Sequence, residues 1–128
     1  MYRPDPVPHP DARVMIVEHE PAVRDALEMM LVLNGYRALG ASDGPTALAQ
    51  LRSTPCSLLI VDLARCGMDG ESFLREARRL APAEPPSVVL IADADDAPLP
   101  PAEAYLPRPF EWGALLQQVT RLLPRSAR

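Results

Sequence analysis

Three apolar runs in this chain end in side chains that could do ligand, acid–base or nucleophile chemistry. Val14–Val17 leads into Glu18, His19 and Glu20, Leu58–Val61 into Asp62, and Tyr105-Leu106 towards Arg108. Carboxylates can ligate a cation or act as nucleophiles, and a guanidinium supplies fixed positive charge. An imidazole offers nitrogen, which suits zinc and softer ions, whereas a hard ion such as Mg²⁺ prefers oxygen. A histidine between two glutamates is therefore the odd member of the set. Cys66 is a further candidate ligand for a soft ion, although none of the short ligand spacings of zinc sites is present.

These residues need elements that bring them together. Val14–Val17 reads as a strand buried on both faces. Pro21 suits the first turn of the following helix, where its missing N–H costs nothing. That helix places Val23, Leu27, Met30 and Leu31 on one face, and Asn34-Gly35 stops it. Tyr36–Ala41 is a weaker strand, and Ser42 or Asp43 caps a helix carrying Leu48 and Leu51. Leu58–Val61 is a third strand, followed by a loop over Gly67–Gly70 and a helix with Phe73, Ala77 and Leu80 on one face. Val88–Ile91 is a fourth strand. The stretch after it holds Pro98, Pro100 and Pro101, which argues against a regular helix. Tyr105-Leu106 is a short fifth strand. The last helix carries Leu115, Leu116, Val119, Leu122 and Leu123 and ends before Pro124.

Continuous apolar strands alternating with amphipathic helices indicate a parallel sheet covered on both faces. Right-handed crossovers then bring all strand C-termini to one edge, where ligands bind in such sheets. Glu18, His19, Glu20, Asp62, Arg108 and the residues after Ile91 all map to that edge.

At 128 residues the chain is read as one domain, with a core over residues 13–124. Residues 1–12 alternate proline with other residues and are expected to form a disordered or polyproline-like leader; residues 125–128 form a short tail. A net charge of −4 with scattered arginines argues against direct nucleic-acid binding. No apolar run approaches the ~20 residues that span a bilayer, so no membrane association and a cytoplasmic location are expected. Two cysteines are too few for a disulfide framework.

Taken in order, four segments resemble the receiver domain of bacterial two-component response regulators. "VMIVEHEPAVRDALEMMLVLNGY" resembles its first strand, acidic cluster and first helix, and "SDGPTALAQL" its second helix. "LLIVDLARCGMDG" resembles the phosphoacceptor strand and loop, and "AYLPRPF" the fifth strand ending in Lys-Pro-Phe. The resemblance covers roughly residues 13–123. It implies an α/β, flavodoxin-like, doubly wound five-stranded parallel sheet, here with the fourth helix shortened or irregular. It also implies that Asp62 accepts a phosphoryl group from a phosphohistidine donor. Arg108 would stand at the position of the family's lysine, Mg²⁺ at Glu18, His19, Asp62 and Ala64, and a cis peptide between Arg108 and Pro109.

Several positions depart from that pattern. His19 replaces the acid that most directly contacts the metal, so Mg²⁺ is expected to bind weakly. The phosphoryl-binding hydroxyl falls on Ile91 or Ala92, neither of which has one. Arg108 keeps the lysine's charge but changes its reach. Cys66 replaces a proline. Three readings of His19 stay open: a partly solvated side chain at a lapsed site, an imidazolium that replaces cation charge beside Asp62, and a ligand for Zn²⁺ or another soft ion. Cys66 reads most simply as a loop or core residue. The methionines, and Trp112 with Phe110, read as packing.

Together these features imply an atypical, stand-alone receiver in phosphorelay signalling, not an enzyme. It would act through a sensor histidine kinase, a phosphotransfer protein or an effector protein, with impaired Mg²⁺-dependent phosphorylation at Asp62. The alternative is a receiver still phosphorylated on Asp62 by a sensor kinase. A flavin- or cobalamin-binding domain of the same fold class would show a phosphate loop or an Asp-x-His-x-x-Gly pattern, and neither is present.

Overall fold

A computed structural model describes residues 7–8, 12–96, 98–123 and 125–126. Its centre is a sheet of five parallel strands: β1 (Arg13–Val17), β2 (Arg37–Ala41), β3 (Leu58–Asp62), β4 (Ser87–Ala92) and β5 (Ala104–Pro107). Their order in space is β2-β1-β3-β4-β5, so the chain reverses direction across the sheet between β1 and β3. Three helices connect strands, α1 (Pro21–Leu33), α2 (Gly44–Ser53) and α3 (Gly70–Arg79), and α4 (Trp112–Leu122) follows β5. This is the expected flavodoxin-like, doubly wound architecture.

Side chains of successive strand residues point to opposite faces, and the core divides accordingly. On one face Met15, Val17, Leu59, Val61, Val88 and Leu90 pack with Leu48 and Leu51 of α2 and Phe73, Leu74 and Ala77 of α3. On the other, Val14, Ile16, Leu58, Ile60, Val89 and Ile91 pack with Leu27 and Leu31 of α1 and Leu115 and Val119 of α4. The three central strands, β1, β3 and β4, are thus apolar and buried on both sides, whereas the edge strand β5 buries only Ala104 and Leu106, on one face.

The predicted punctuation operates as expected. Pro21 opens α1, and Gly35, at φ 88°, ends it by letting the Tyr36 N–H return to the Leu31 carbonyl at 3.0 Å. The Asp43 carboxylate accepts the Thr46 N–H at 2.8 Å and caps α2. Asp69 does the same for Ser72 at the start of α3.

Some local readings need correction. Val23 is 43% exposed, and the inward face of α1 rests on Leu27 and Leu31 instead. Leu80 lies beyond the end of α3, as its C-cap, and is also exposed. The loop after β3 begins with a 3₁₀ turn, Leu63–Arg65, and α3 starts at Gly70 within the stretch read as loop.

Between β4 and β5 the described residues contain a single 3₁₀ turn, Ala94–Asp96, in place of a regular helix. The chain then runs without regular secondary structure through Pro98–Glu103. Tyr105 pins this segment: its hydroxyl donates to the Pro100 carbonyl at 2.9 Å and accepts the Ala102 N–H at 2.9 Å. The Arg108–Pro109 peptide is cis. Most of the proline-rich leader lies outside the described residues. Within it, Val7–Pro8 pairs antiparallel with Arg125–Ser126, and Ala12 is buried. No helix among the described residues is long and apolar enough to cross a membrane.

Candidate functional site

The C-terminal ends of β1, β3, β4 and β5 converge on Asp62. As the last residue of β3, Asp62 follows four wholly buried apolar residues, and its own side chain is fully buried. Glu18 follows β1 directly and is 4% exposed; its N–H donates to the Ala41 carbonyl of β2 at 3.0 Å. Arg24 on α1 reaches back to the Glu18 carbonyl at 2.8 Å, which fixes the turn into the helix. The Arg108 backbone N–H donates to the Ala92 carbonyl at 2.9 Å, so β5 delivers the guanidinium to the same edge.

Arg108 Nη2 donates to Asp62 Oδ2 at 2.9 Å. Arg65 Nη1 donates to the same oxygen at 3.4 Å, and its Nη2 to Asp93 Oδ2 at 3.2 Å. Arg108 Nη2 also lies 3.8 Å from Glu18 Oε2, and its Nη1 lies 3.6 Å from Asp93 Oδ1. The His19 ring is half-exposed. Its Nδ1 stands 3.8 Å from Glu18 Oε1 and 3.9 Å from Asp62 Oδ2, and its Nε2 4.0 Å from Glu20 Oε1.

Burial pushes the Glu18 carboxyl above its ordinary value, and the neighbouring Asp62 charge adds to the effect; Arg108 and His19 oppose it. Arg65 is held more firmly protonated, first by its hydrogen bond to Asp93 and then by Asp62. The Cys66 thiol is buried, raised above its ordinary value, and points to the Met68 carbonyl at 3.3 Å.

Glu18, His19 and Asp62 each present a potential ligand atom, all within 4.8 Å of one another. Glu18 Oε2 and Asp62 Oδ1 are buried without a hydrogen-bond partner among the described residues. Two such oxygens could take a cation, but an imidazole where Mg²⁺ prefers oxygen, and two guanidiniums on Asp62, oppose it. The set is consistent with weak Mg²⁺ binding, in which Glu18 and Asp62 would supply the protein oxygens. Ala64 sits exposed in the 3₁₀ turn after Asp62 and has only its backbone to offer.

Of the two positions weighed for the missing hydroxyl, Ile91 packs in the core beside α1 and α4, while Ala92 ends β4. Sequence reasoning gathered Glu18, His19, Asp62 and Arg108 at one edge and missed Arg65. The available signal was local. In a 3₁₀ turn, residues three apart eclipse one another, so an arginine three after a strand-end aspartate folds back over it.

Three comparisons place this arrangement among known proteins. The family model for the response regulator receiver domain matches residues 14–120. The response regulator MprA of Mycobacterium ulcerans is 30% identical over 118 residues, which cover 89% of this chain and 51% of that protein. The chain therefore spans about half the length of the curated relatives it matches. Among solved structures, the receiver domain of the hybrid histidine kinase CckA is 30% identical, with a TM-score of 0.73 over 88% of this chain and all of that one. TrrA of Thermotoga maritima, determined in complex with Mg²⁺-BeF, is 26% identical, with a TM-score of 0.75 over 88% of this chain and 99% of that one. The parallel order β2-β1-β3-β4-β5, the buried aspartate at the end of β3 and these matches lead to one conclusion: the chain belongs to the response-regulator receiver domain family.

Proposed function

We propose that this receiver works in phosphorelay signalling chiefly as a protein-interaction module, with Mg²⁺-dependent phosphorylation at Asp62 impaired. The supporting observation is the occupation of Asp62 Oδ2 by two of the chain's own guanidiniums, Arg108 at 2.9 Å and Arg65 at 3.4 Å. A carboxylate nucleophile needs cationic help that can reorganise around an incoming phosphoryl group. Here that help is already committed to the resting carboxylate. The absence of a hydroxyl at Ala92 also removes the group that would hold a transferred phosphoryl at the end of β4. On this reading the chain has no enzymatic activity of its own. Its partner, a sensor histidine kinase, a phosphotransfer protein or an effector, recognises a fixed surface.

One observation favours a second reading, in which Asp62 still accepts a phosphoryl group. Asp62 Oδ1 has no hydrogen-bond partner among the described residues, which leaves one oxygen of the nucleophile uncommitted to them. The TrrA complex with Mg²⁺-BeF, at 26% identity, lends the family-level precedent.

Intact-mass spectrometry after incubation with acetyl phosphate or phosphoramidate, with and without Mg²⁺, separates the two. Wild type and Asp62→Ala are each expected to keep their unmodified mass. An Mg²⁺-dependent phosphate adduct on wild type alone establishes the second reading instead.

A further inference from the structure

Asp62 and Asp93 are joined twice, by two different arginines. Arg65 reaches Asp62 Oδ2 at 3.4 Å with one terminal nitrogen and Asp93 Oδ2 at 3.2 Å with the other. Arg108 hydrogen-bonds Asp62 Oδ2 at 2.9 Å through Nη2, and its Nη1 faces Asp93 Oδ1 at 3.6 Å as an ion pair without a hydrogen bond. The result is a closed ring of alternating charge: carboxylate, guanidinium, carboxylate, guanidinium. It spans the ends of β3, β4 and β5 and is neutral in itself.

We infer that Arg65 is a built-in counter-cation, which takes the electrostatic place of a divalent ion at Asp62 and keeps one out. Three features carry the assignment. The first is geometry. A guanidinium is a planar fork able to bridge two carboxylates, and the 3₁₀ turn Leu63–Arg65 aims this one at the oxygen that also faces Arg108 and His19. The second is charge. Of the carboxylates within 4 Å of the two guanidiniums, Glu18, Asp62 and Asp93 bring at most three negative charges; Arg65 and Arg108 return two, leaving at most a single negative charge there to attract an ion that carries two positive ones. The third is hydration. Mg²⁺ sheds water reluctantly, whereas guanidinium is weakly hydrated and settles against a carboxylate with little loss. Arg65 is 45% exposed along its side chain, so it is anchored by these contacts and not by packing.

The inference concerns the same site as the proposed function and rests on reading Asp62 as its centre. It differs in naming Arg65 as the residue that determines whether a divalent ion enters. A merely structural Arg65, tying the turn to Asp93, would have the opposite signature: its removal would loosen the turn and leave metal affinity unchanged or lower.

The test is an Mg²⁺ titration of metal-stripped protein at constant ionic strength, followed by backbone amide NMR, on wild type, Arg65→Ala and Arg65→Lys. Removing a unit charge a few ångströms from the ion is expected to tighten Mg²⁺ binding in Arg65→Ala by about tenfold or more. Arg65→Lys, which keeps the charge, is expected to stay within about threefold of wild type on the same Coulombic argument. An Arg65→Ala affinity equal to or weaker than wild type overturns the inference, and so does an Arg65→Lys affinity matching Arg65→Ala. Because the readout is metal binding, it is separate from the adduct experiment. An Mg²⁺-dependent phosphate adduct on wild type would overturn the impaired-phosphorylation reading and leave the Arg65 comparison standing.

Discussion

Leu63 lies against Gly70 so closely that a Cβ on the glycine would meet Leu63 Cγ at 2.5 Å. Leu63 directly follows Asp62 and is buried, so the first residue of α3 sets how the turn after the acceptor strand closes. Gly70→Ala forces the turn outward and is expected to destabilise the fold by about 1–3 kcal/mol, an overpacking cost. Gly113 supplies the contrast: it is exposed in α4, and a Cβ added there would meet nothing within 4 Å. Gly113→Ala is expected to stabilise by about 0.5–1 kcal/mol through helix propensity. Urea midpoints measured on both variants check the pair, and equal shifts of the same sign would refute the argument.

His19 is the one nitrogen ligand in the candidate set Glu18, His19 and Asp62, half-exposed and within 3.9 Å of Asp62 Oδ2. His19→Asp replaces it with the ligand type that Mg²⁺ prefers and adds a negative charge. Mg²⁺ affinity, followed by the same amide shifts, is expected to rise by about tenfold. An unchanged affinity would show that the arginines alone govern the site.

Burial holds the Glu18 carboxyl above its ordinary value of 4.5. The sign of its effect follows from linkage: the folded state keeps a proton that the unfolded chain releases first. Its stabilising contribution is complete below pH 4.5 and is lost as pH climbs through the raised folded value. Glu18→Gln removes that dependence. In divalent-free buffer, the stability of Glu18→Gln relative to wild type is therefore expected to increase with pH above 4.5 and then level off. Denaturation curves across pH 4 to 8, on the order of the window in which such carboxyls titrate, provide the measurement. A flat difference would place the protonation elsewhere.

Much of the architecture was legible because its signals are local and strong. Pro21, Asn34-Gly35 and Asp43 mark helix boundaries through backbone chemistry that needs no tertiary context. The apolar runs at Val14–Val17 and Leu58–Val61 announce strands covered on both sides, and parallel topology then gathers Glu18, Asp62 and Arg108 at one edge. Val23 and Leu80 match the helical spacing yet stay exposed, because spacing cannot show where an element stops touching the sheet. Arg65 and its bond to Asp93 lay deeper. They depend on a short 3₁₀ turn and on the path of the chain after β4, and neither leaves a periodic trace in the residues.

The proline-rich segment pinned by Tyr105 bears on how a partner would be met. Pro98, Pro100 and Pro101 have fixed φ angles, and the tyrosine hydroxyl holds both the Pro100 carbonyl and the Ala102 N–H. The segment has therefore given up most of its conformational freedom before any encounter. A protein docking on that face would find a pre-shaped edge and lose little further entropy on complex formation, so its affinity could rest on modest contacts.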